Sequence, residues 1–339
     1  NNINQSIKLK IMSIFNPYLD VIKKAIDRDP KQQYIRLHSE QPETDFDTSY
    51  IKALRNELPG LDKLNESSRL IKGLNALEIE NLPRLGNHPD FAYLRNTSDT
   101  EKHWIISAFV DVQKSTQLHN RFTLATAALI TESIVKASIF AVNLCGGYVH
   151  RIQGDGLMVY FGGKKIDKGQ ATKDALKAFA MISYFVKNDL KEYFESMNIK
   201  DISTRTGIDL GHDSQVLWMY SGLSNSGEVT TCSLHTSLAP KMQVNATKNG
   251  IVTGQNIINQ ISSSDKYFKV KSEPIWDYED GRFYNQYDFN WERYLVNNDF
   301  AKQNIGGDLI LNIGNPVTPL LNPAYLSPIA EINKPYYNF

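Results

Sequence analysis

An α+β fold, a sheet of strands covered by helices, is predicted by two observations in the middle of the chain. Residues 104–110 are an almost continuous apolar run, the pattern of a strand buried on both faces. A long helical window rich in Ala and Leu follows, Ser115 to Leu144, and Gly146-Gly147 ends it. Two short strands, 147–152 and 157–161, then flank Gly154-Asp155-Gly156, a tight hairpin signal. The order continues with an amphipathic helix, Lys168 to Phe194, and a strand at 204–210. Further strands fit 215–220 and 228–232, a helix fits 235–246, and Gly250-Ile-Val-Thr-Gly254 reads as a last strand. The sum is β-α-β-β-α-β with extra strands, the ferredoxin-like plan.

The ends read differently. Asn16-Pro17 starts a helix with Pro at its first position, and Leu19, Val21, Ile22 and Ile26 follow at helical spacing. The stretch 31–48 is polar and loop-like. Asp47-Thr48 caps a second helix, Tyr50 to Leu58, ended by Pro59-Gly60. Leu70, Ile71, Leu74, Leu77 and Ile79 suggest a third. Residues 265–339 are aromatic, Asn-rich and Pro-bearing, and are expected as short strands and coil. The division expected is a helical N-terminal extension over 1–100, a catalytic domain over 101–262 and a C-terminal extension over 263–339.

Composition narrows the function. The 339 residues carry 37 basic and 37 acidic side chains, so no global basic field argues for nucleic acid. No window of about 18 apolar residues is expected to exist, so no membrane span is expected. The N-terminus lacks a secretory pattern. Cys145 and Cys232 are the two cysteines and have no metal-ligand spacing. A reduced, cytoplasmic location is the expectation.

Two aspartates carry the chemistry. Asp111 ends the run Trp104 to Val110, and Asp155 sits in the Gly-Asp-Gly turn. Each alone has an ordinary reading, Asp111 as a helix cap and Asp155 as a turn residue. Together, a strand end and an adjacent hairpin bring both carboxylates within reach of the same ions. Two hard carboxylates of this kind hold Mg²⁺ or Mn²⁺ against a nucleoside triphosphate. Val112-Gln-Lys-Ser115-Thr116 is expected to open the long helix, whose free N–H groups and hydroxyls cradle phosphate. Arg151, four residues before Asp155 on the entering strand, is a candidate reader of a base edge, or else a surface strand Arg. Arg205 is a candidate phosphate partner, or else an exposed strand charge. Asp209 reads as structural, and His235 as a possible helix cap without chemistry. No Ser-His-Asp or Cys-His arrangement is legible.

Four blocks resemble the class III nucleotidyl cyclases, the adenylyl/guanylyl cyclase family. They are Phe109-Val-Asp111-Val-Gln-Lys-Ser-Thr116, Gly146-Gly147 with Gly154-Asp155-Gly-Leu-Met158, Arg205-Thr-Gly207-Ile-Asp-Leu-Gly211, and Glu228 to Met242. They span about residues 100–255 in the family's order. The resemblance implies two metal ions on Asp111 and Asp155, joined by the Val112 carbonyl, and a triphosphate contact at Arg205. It also implies sites shared between the two subunits of a head-to-tail homodimer. Purine cyclases usually carry Lys or Glu where this chain has Arg151. Their second base-reading position falls near Thr230, and the Asn and Arg of their last block are replaced near Ser237 and Lys241. The family's later Lys- and Gly-rich strand is not recognisable. The Glu228–Met242 segment, with Arg151-Ile-Gln-Gly-Asp155-Gly, looks like the bacterial pyrimidine cyclases of Pycsar antiphage defence. That branch implies cyclic UMP from UTP or cyclic CMP from CTP, with a downstream effector that responds to the cyclic nucleotide. The rival readings are a purine cyclase and a degenerate cyclase fold serving as a nucleotide sensor. Arg151 alone does not choose between uracil and cytosine, and strong rejection needs a second residue that reads the difference.

Overall fold

Alternating burial along Ile105–Gln113 (β2) sets the architecture. Ile106, Ala108, Val110 and Val112 enter the main hydrophobic core, while Ile105 and Phe109 pack in a second cluster on the opposite face. The period of two places Ser107 and Asp111 on that opposite face as well. The computed structural model describes residues 13–32, 48–72, 82–197, 199, 202–304 and 306–312.

β2 lies inside a seven-stranded sheet with Tyr148–Gln153 (β3), Gly156–Phe161 (β4), Ser203–Gly211 (β5), Gly250–Gly254 (β8), Phe268–Val270 (β9) and Gln286–Phe289 (β12), ordered β3-β4-β2-β5-β8-β12-β9, and Trp276–Asp277 (β10) pairs with Phe283–Tyr284 (β11) apart from it. Each neighbouring pair among the first four strands in this order is antiparallel. With the helices between them they form the expected β-α-β-β-α-β unit. A smaller sheet, Thr100–Lys102 (β1), Leu217–Leu223 (β6) and Ser226–Cys232 (β7), is ordered β1-β6-β7. Trp218, Phe91, Tyr160 and Val229 pack between it and the main sheet.

The helices divide between the faces. Asn16–Asp27 (α1), Leu124–Leu144 (α4) and Lys168–Tyr184 (α5) bury their apolar residues in the main core. Between α1 and α4 in sequence lie Thr48–Glu57 (α2) and Leu61–Lys72 (α3). Leu234–Val244 (α6) covers the other face, with Leu238 and Met242 against Val252 and Tyr284. It approaches β5 so closely that a Cβ at Gly207 would lie 2.0 Å from the Ala239 carbonyl oxygen, so only glycine fits there.

Several boundaries differ from expectation. The long helix does not begin at Ser115. Lys114 adopts a left-handed φ of 62°, Ser115–Gln117 is a 3₁₀ turn, and Leu118–Arg121 is a single helical turn. The helix proper restarts behind the cap Thr123, whose side chain accepts from the Thr126 N–H. The buried Asp29, beyond α1, in turn accepts from the Thr123 N–H at 3.0 Å and its hydroxyl at 2.7 Å. By length and composition α4 is apolar enough to cross a membrane, which corrects the expectation that no such window exists. In the structure this helix is the core helix, with residues such as Ile130, Ile134, Phe140 and Val142 buried. The third N-terminal helix starts at Leu61 rather than Leu70, directly after Pro59-Gly60, and buries Leu64. The expected segments 33–47, with Asp47, and 73–81 lie outside the described residues, as does 313–339. The helix over 168–194 is interrupted by a π-helical turn, Phe185–Leu190. Beyond residue 262 the chain adds two strands, β9 and β12, to the main sheet, and a helix not expected from the sequence, Trp291–Asn297 (α7). Its start is fixed by Asn290, whose side chain accepts from the Arg293 N–H.

Candidate active site

Antiparallel pairing of β2 with β5 sets Asp111 opposite Arg205, Phe109 opposite Gly207 and Ser107 opposite Asp209. All six lie on the face covered by α6. On the other side of β2, pairing with β4 runs from Ile106 to Val110, opposite Phe161 to Leu157. Beyond Val110 the β3–β4 hairpin turns, with Gly154 at a left-handed φ of 63°, as a two-residue hairpin requires. Asp155 is therefore carried to the end of β2, beside Asp111.

The two carboxylates are close enough to feel each other. Asp111 has its pKa raised, first by partial burial and then by the Asp155 charge, with Arg205 opposing. The Arg205 guanidinium stands 3.6 Å from the Asp111 carboxylate. The Ser115 hydroxyl donates to Asp155, because the left-handed Lys114 turns the chain back toward the hairpin. A Cβ at Gly156 would lie 3.1 Å from the Val110 carbonyl and 3.4 Å from Asp111 Oδ1, so this position favours a small residue. The cluster therefore holds two like charges partly offset by one cation. Carboxylate oxygens of this kind are hard donors that suit Mg²⁺ or Mn²⁺. Among the described residues no group of three or more His, Cys, Asp or Glu forms an all-side-chain metal site, so a two-carboxylate site needs carbonyl or substrate oxygens to complete it.

Arg151 belongs to a separate cluster. β3 pairs with β4 through a bulge, Val149 opposite Val159 but Arg151 opposite Met158. The extra residue shifts the strand's phase, so Arg151 stands with Met158 on the face of the smaller sheet. Its Nε donates to Glu228 Oε2 at 2.6 Å, and a second guanidinium nitrogen contacts Oε1. His150, fully buried, has Nε2 3.4 Å from the same carboxylate, and neither ring nitrogen makes a hydrogen bond. Burial, then the Arg151 charge, pushes its pKa down to about 3. Thr230, two residues along β7, lies on the same strand face as Glu228, with its hydroxyl 3.5 Å from Tyr160 Oη. Leu85, Gly86, Ile152, Ser221, Ser226 and Gly227 complete an open cleft of about 540 Å³ around Arg151 and Glu228.

The remaining candidates are scattered. Thr116 is exposed on the 3₁₀ turn, so it and Ser115 do not lie at the start of the long helix. Val112 is buried on β2 opposite Thr204. On α6, the exposed Ser237 donates to the Ser233 carbonyl of its own helix at 3.1 Å. Lys241 lies over the Trp276 ring, 4.9 Å from its centre. Arg205 serves the aspartate cluster and Arg151 serves Glu228.

Sequence reasoning gave Glu228 no role, although its spacing of two from Thr230 on a strand was the available signal. The bulge that re-aims Arg151 left no sequence mark. Asp209 is fully buried and accepts from Tyr284 Oη at 2.7 Å and the Leu210 N–H at 2.9 Å, with His235 Nδ1 at 2.8 Å. The structural reading of Asp209 therefore stands. His235 is held by Asp209 inside the fold, and Ser233 rather than His235 caps α6.

The chain is 36% identical over 221 residues to a protein named cytidylate cyclase from Staphylococcus aureus, covering 62% of this chain and 52% of that protein. A cytidylate cyclase from Escherichia coli is 29% identical over 251 residues, covering 72% of this chain and 54% of that protein. The chain thus spans about half the length of the curated relatives it matches. Among solved structures, the adenylyl cyclase CyaB from P. aeruginosa is similar at 16% identity with a TM-score of 0.48, covering 56% of this chain and 95% of that one. No family model matches. By sequence, the chain is similar to bacterial proteins named cytidylate cyclase, in line with the resemblance to class III nucleotidyl cyclases carried by its own motifs.

Proposed function

We propose that this chain is the catalytic unit of a pyrimidine nucleotide cyclase that converts CTP to 3′,5′-cyclic CMP and pyrophosphate. The observation that carries the reading is the meeting of Asp111 and Asp155 at one end of β2, with Arg205 beside them. The relatives named cytidylate cyclase favour CTP over UTP. Asp111 and Asp155 would hold two divalent cations, Mn²⁺ or Mg²⁺, with the Val112 carbonyl as a further ligand. When bound, the metals supply the Lewis acidity that activates the ribose 3′-hydroxyl and offsets charge on the triphosphate. Ser115 orients Asp155 through its hydrogen bond. Arg205 stabilises negative charge on the triphosphate, with the Ser115 backbone N–H, Thr116 and Lys241 as further donors to phosphate. Arg151 reads the base with Thr230 on β7, and Ser237, on α6 apart from that cleft, is a further substrate contact.

The aspartate and Arg151 clusters bind different partners within one chain. This supports a head-to-tail homodimer in which each site takes its metals from one subunit and its base reader from the other. Cys145 is buried and Cys232 exposed, with no disulfide between them, which fits the cytoplasm. A role as the signal generator of antiphage defence, acting through an effector that binds the cyclic nucleotide, belongs to the same proposal and rests on the resemblance.

The test is incubation of the purified protein with Mn²⁺ and each of ATP, GTP, CTP and UTP, with products resolved by mass spectrometry. Cyclic CMP as the main product is expected. A cyclic purine would overturn the base assignment. No cyclic product from any of the four would move the chain to the sensor reading.

A further inference from the structure

Arg151 offers donors, but cytosine and uracil both present an acceptor at O2, so a single arginine does not separate them. Glu228 changes this. It holds Arg151 through two contacts, one of them at 2.6 Å from Nε. A guanidinium has five N–H donors, and this pairing leaves others free. The Glu228 carboxylate has about four lone-pair positions and uses two on Arg151. The pair therefore presents an acceptor at one end and donors beside it. The cytosine edge reads donor, acceptor, acceptor from its 4-amino group through N3 to O2. The complement is acceptor, donor, donor, the order that Glu228 followed by the Arg151 fork supplies. The uracil edge reads acceptor, donor, acceptor, and in the same pose sets O4 against a carboxylate. Leu85 and Ile152, both substantially exposed, line the same cleft and offer apolar surface to the flat faces of a small ring.

We infer that Glu228 is the specificity-determining residue of this site, accepting from the cytosine 4-amino group while Arg151 donates to N3 and O2. The inference rests on the pyrimidine cyclase reading and supplies the second base-reading residue that reading needs. The partly exposed Glu228 side chain is held in place on two sides. Gly86 lies against it, since a Cβ there would come 2.9 Å from the Glu228 Cβ. The buried His150 ring, without hydrogen bonds of its own, lies 3.4 Å from Oε2. Gly86 packs on the base of the side chain while His150 and Arg151 meet its carboxylate, so the order of acceptor and donors is set before substrate arrives.

The test is direct competition between CTP and UTP for the full chain with Mn²⁺, reading the ratio of cyclic CMP to cyclic UMP. Glu228→Gln keeps the shape but can present an amide donor. It is expected to lower the CTP-over-UTP ratio by about 10- to 100-fold, the scale of a hydrogen bond to a charged group. An unchanged or increased ratio overturns the inference. If the variant turns over too slowly to measure, equilibrium binding of CTP and of UTP with Ca²⁺ in place of Mn²⁺ gives the ratio without catalysis. An unchanged binding ratio overturns the inference equally. Wild-type protein that makes no cyclic pyrimidine would refute the functional reading itself, a different outcome from a wild-type cytidylate cyclase whose choice ignores Glu228.

Discussion

Asp111 and Asp209 lie on neighbouring strands of one sheet and on the same face, yet their oxygens are met in opposite ways. Asp209 is fully buried and satisfied by Tyr284, His235 and a backbone N–H. Asp111 is partly exposed, faces a second carboxylate, and has one guanidinium 3.6 Å away. The first arrangement uses a carboxyl group to tie β5, α6 and the segment around Tyr284 together. The second leaves negative charge that a cation would relieve. Burial with a full set of partners marks an aspartate that serves the fold. Exposure beside a like charge marks one that serves a ligand.

Paired substitutions separate the two roles most sharply. Asp111→Asn and Asp155→Asn are expected to cut cyclic product by about 10³-fold or more while leaving the circular dichroism spectrum and melting transition nearly as they were. Asp209→Ala is expected to do the reverse. It strands the Tyr284 hydroxyl and the His235 ring in the interior, and should cost about 3–5 kcal/mol in denaturant titration. Asp111→Asn with full activity, or Asp209→Ala with unchanged stability, would break the comparison.

The sequence made the first aspartate legible and left the second half-read. The apolar run before Asp111 and the Gly-Asp-Gly turn at Asp155 define their places by local pattern alone. Strand order and the β2–β4 pairing follow from that pattern, and they bring the two residues together. The partners of Asp209 come from far along the chain, with Tyr284 supplied by the C-terminal extension, so no local signal announced them. The same holds for Arg151. Its strand was legible, but the bulge at His150 that turns it toward Glu228 depends on register with β4. The start of the long helix was misplaced because Ser115-Thr116 resembles a cap, while the left-handed Lys114 and the Thr123 cap depend on how the chain returns to the hairpin.

A smaller effect sharpens the contrast at the second cluster. His150 and His88 are buried beside the smaller sheet, with pKa values pushed down to about 3 and about 4 by burial. Both are neutral in the fold and gain protons more readily when unfolded. Their contribution to stability is present above the ordinary histidine pKa of about 6.5 and is lost as pH falls below it toward those lower values. Denaturant titrations across that range should show stability falling with acid. His150→Gln should flatten part of the slope, and an unaltered slope would show that His150 does not titrate as described.

The most direct test of the central claim, one site built from two subunits, is complementation. Arg151→Ala and Asp155→Asn are each expected to be inactive as homodimers with CTP and Mn²⁺. Mixing them under conditions that exchange subunits creates heterodimers with one site free of both changes. Activity should return to roughly a quarter of the wild-type rate, the share expected of a two-fold dimer in which half the molecules carry one intact site. A mixture that stays as inactive as its components, although exchange is shown to occur, would contradict the account.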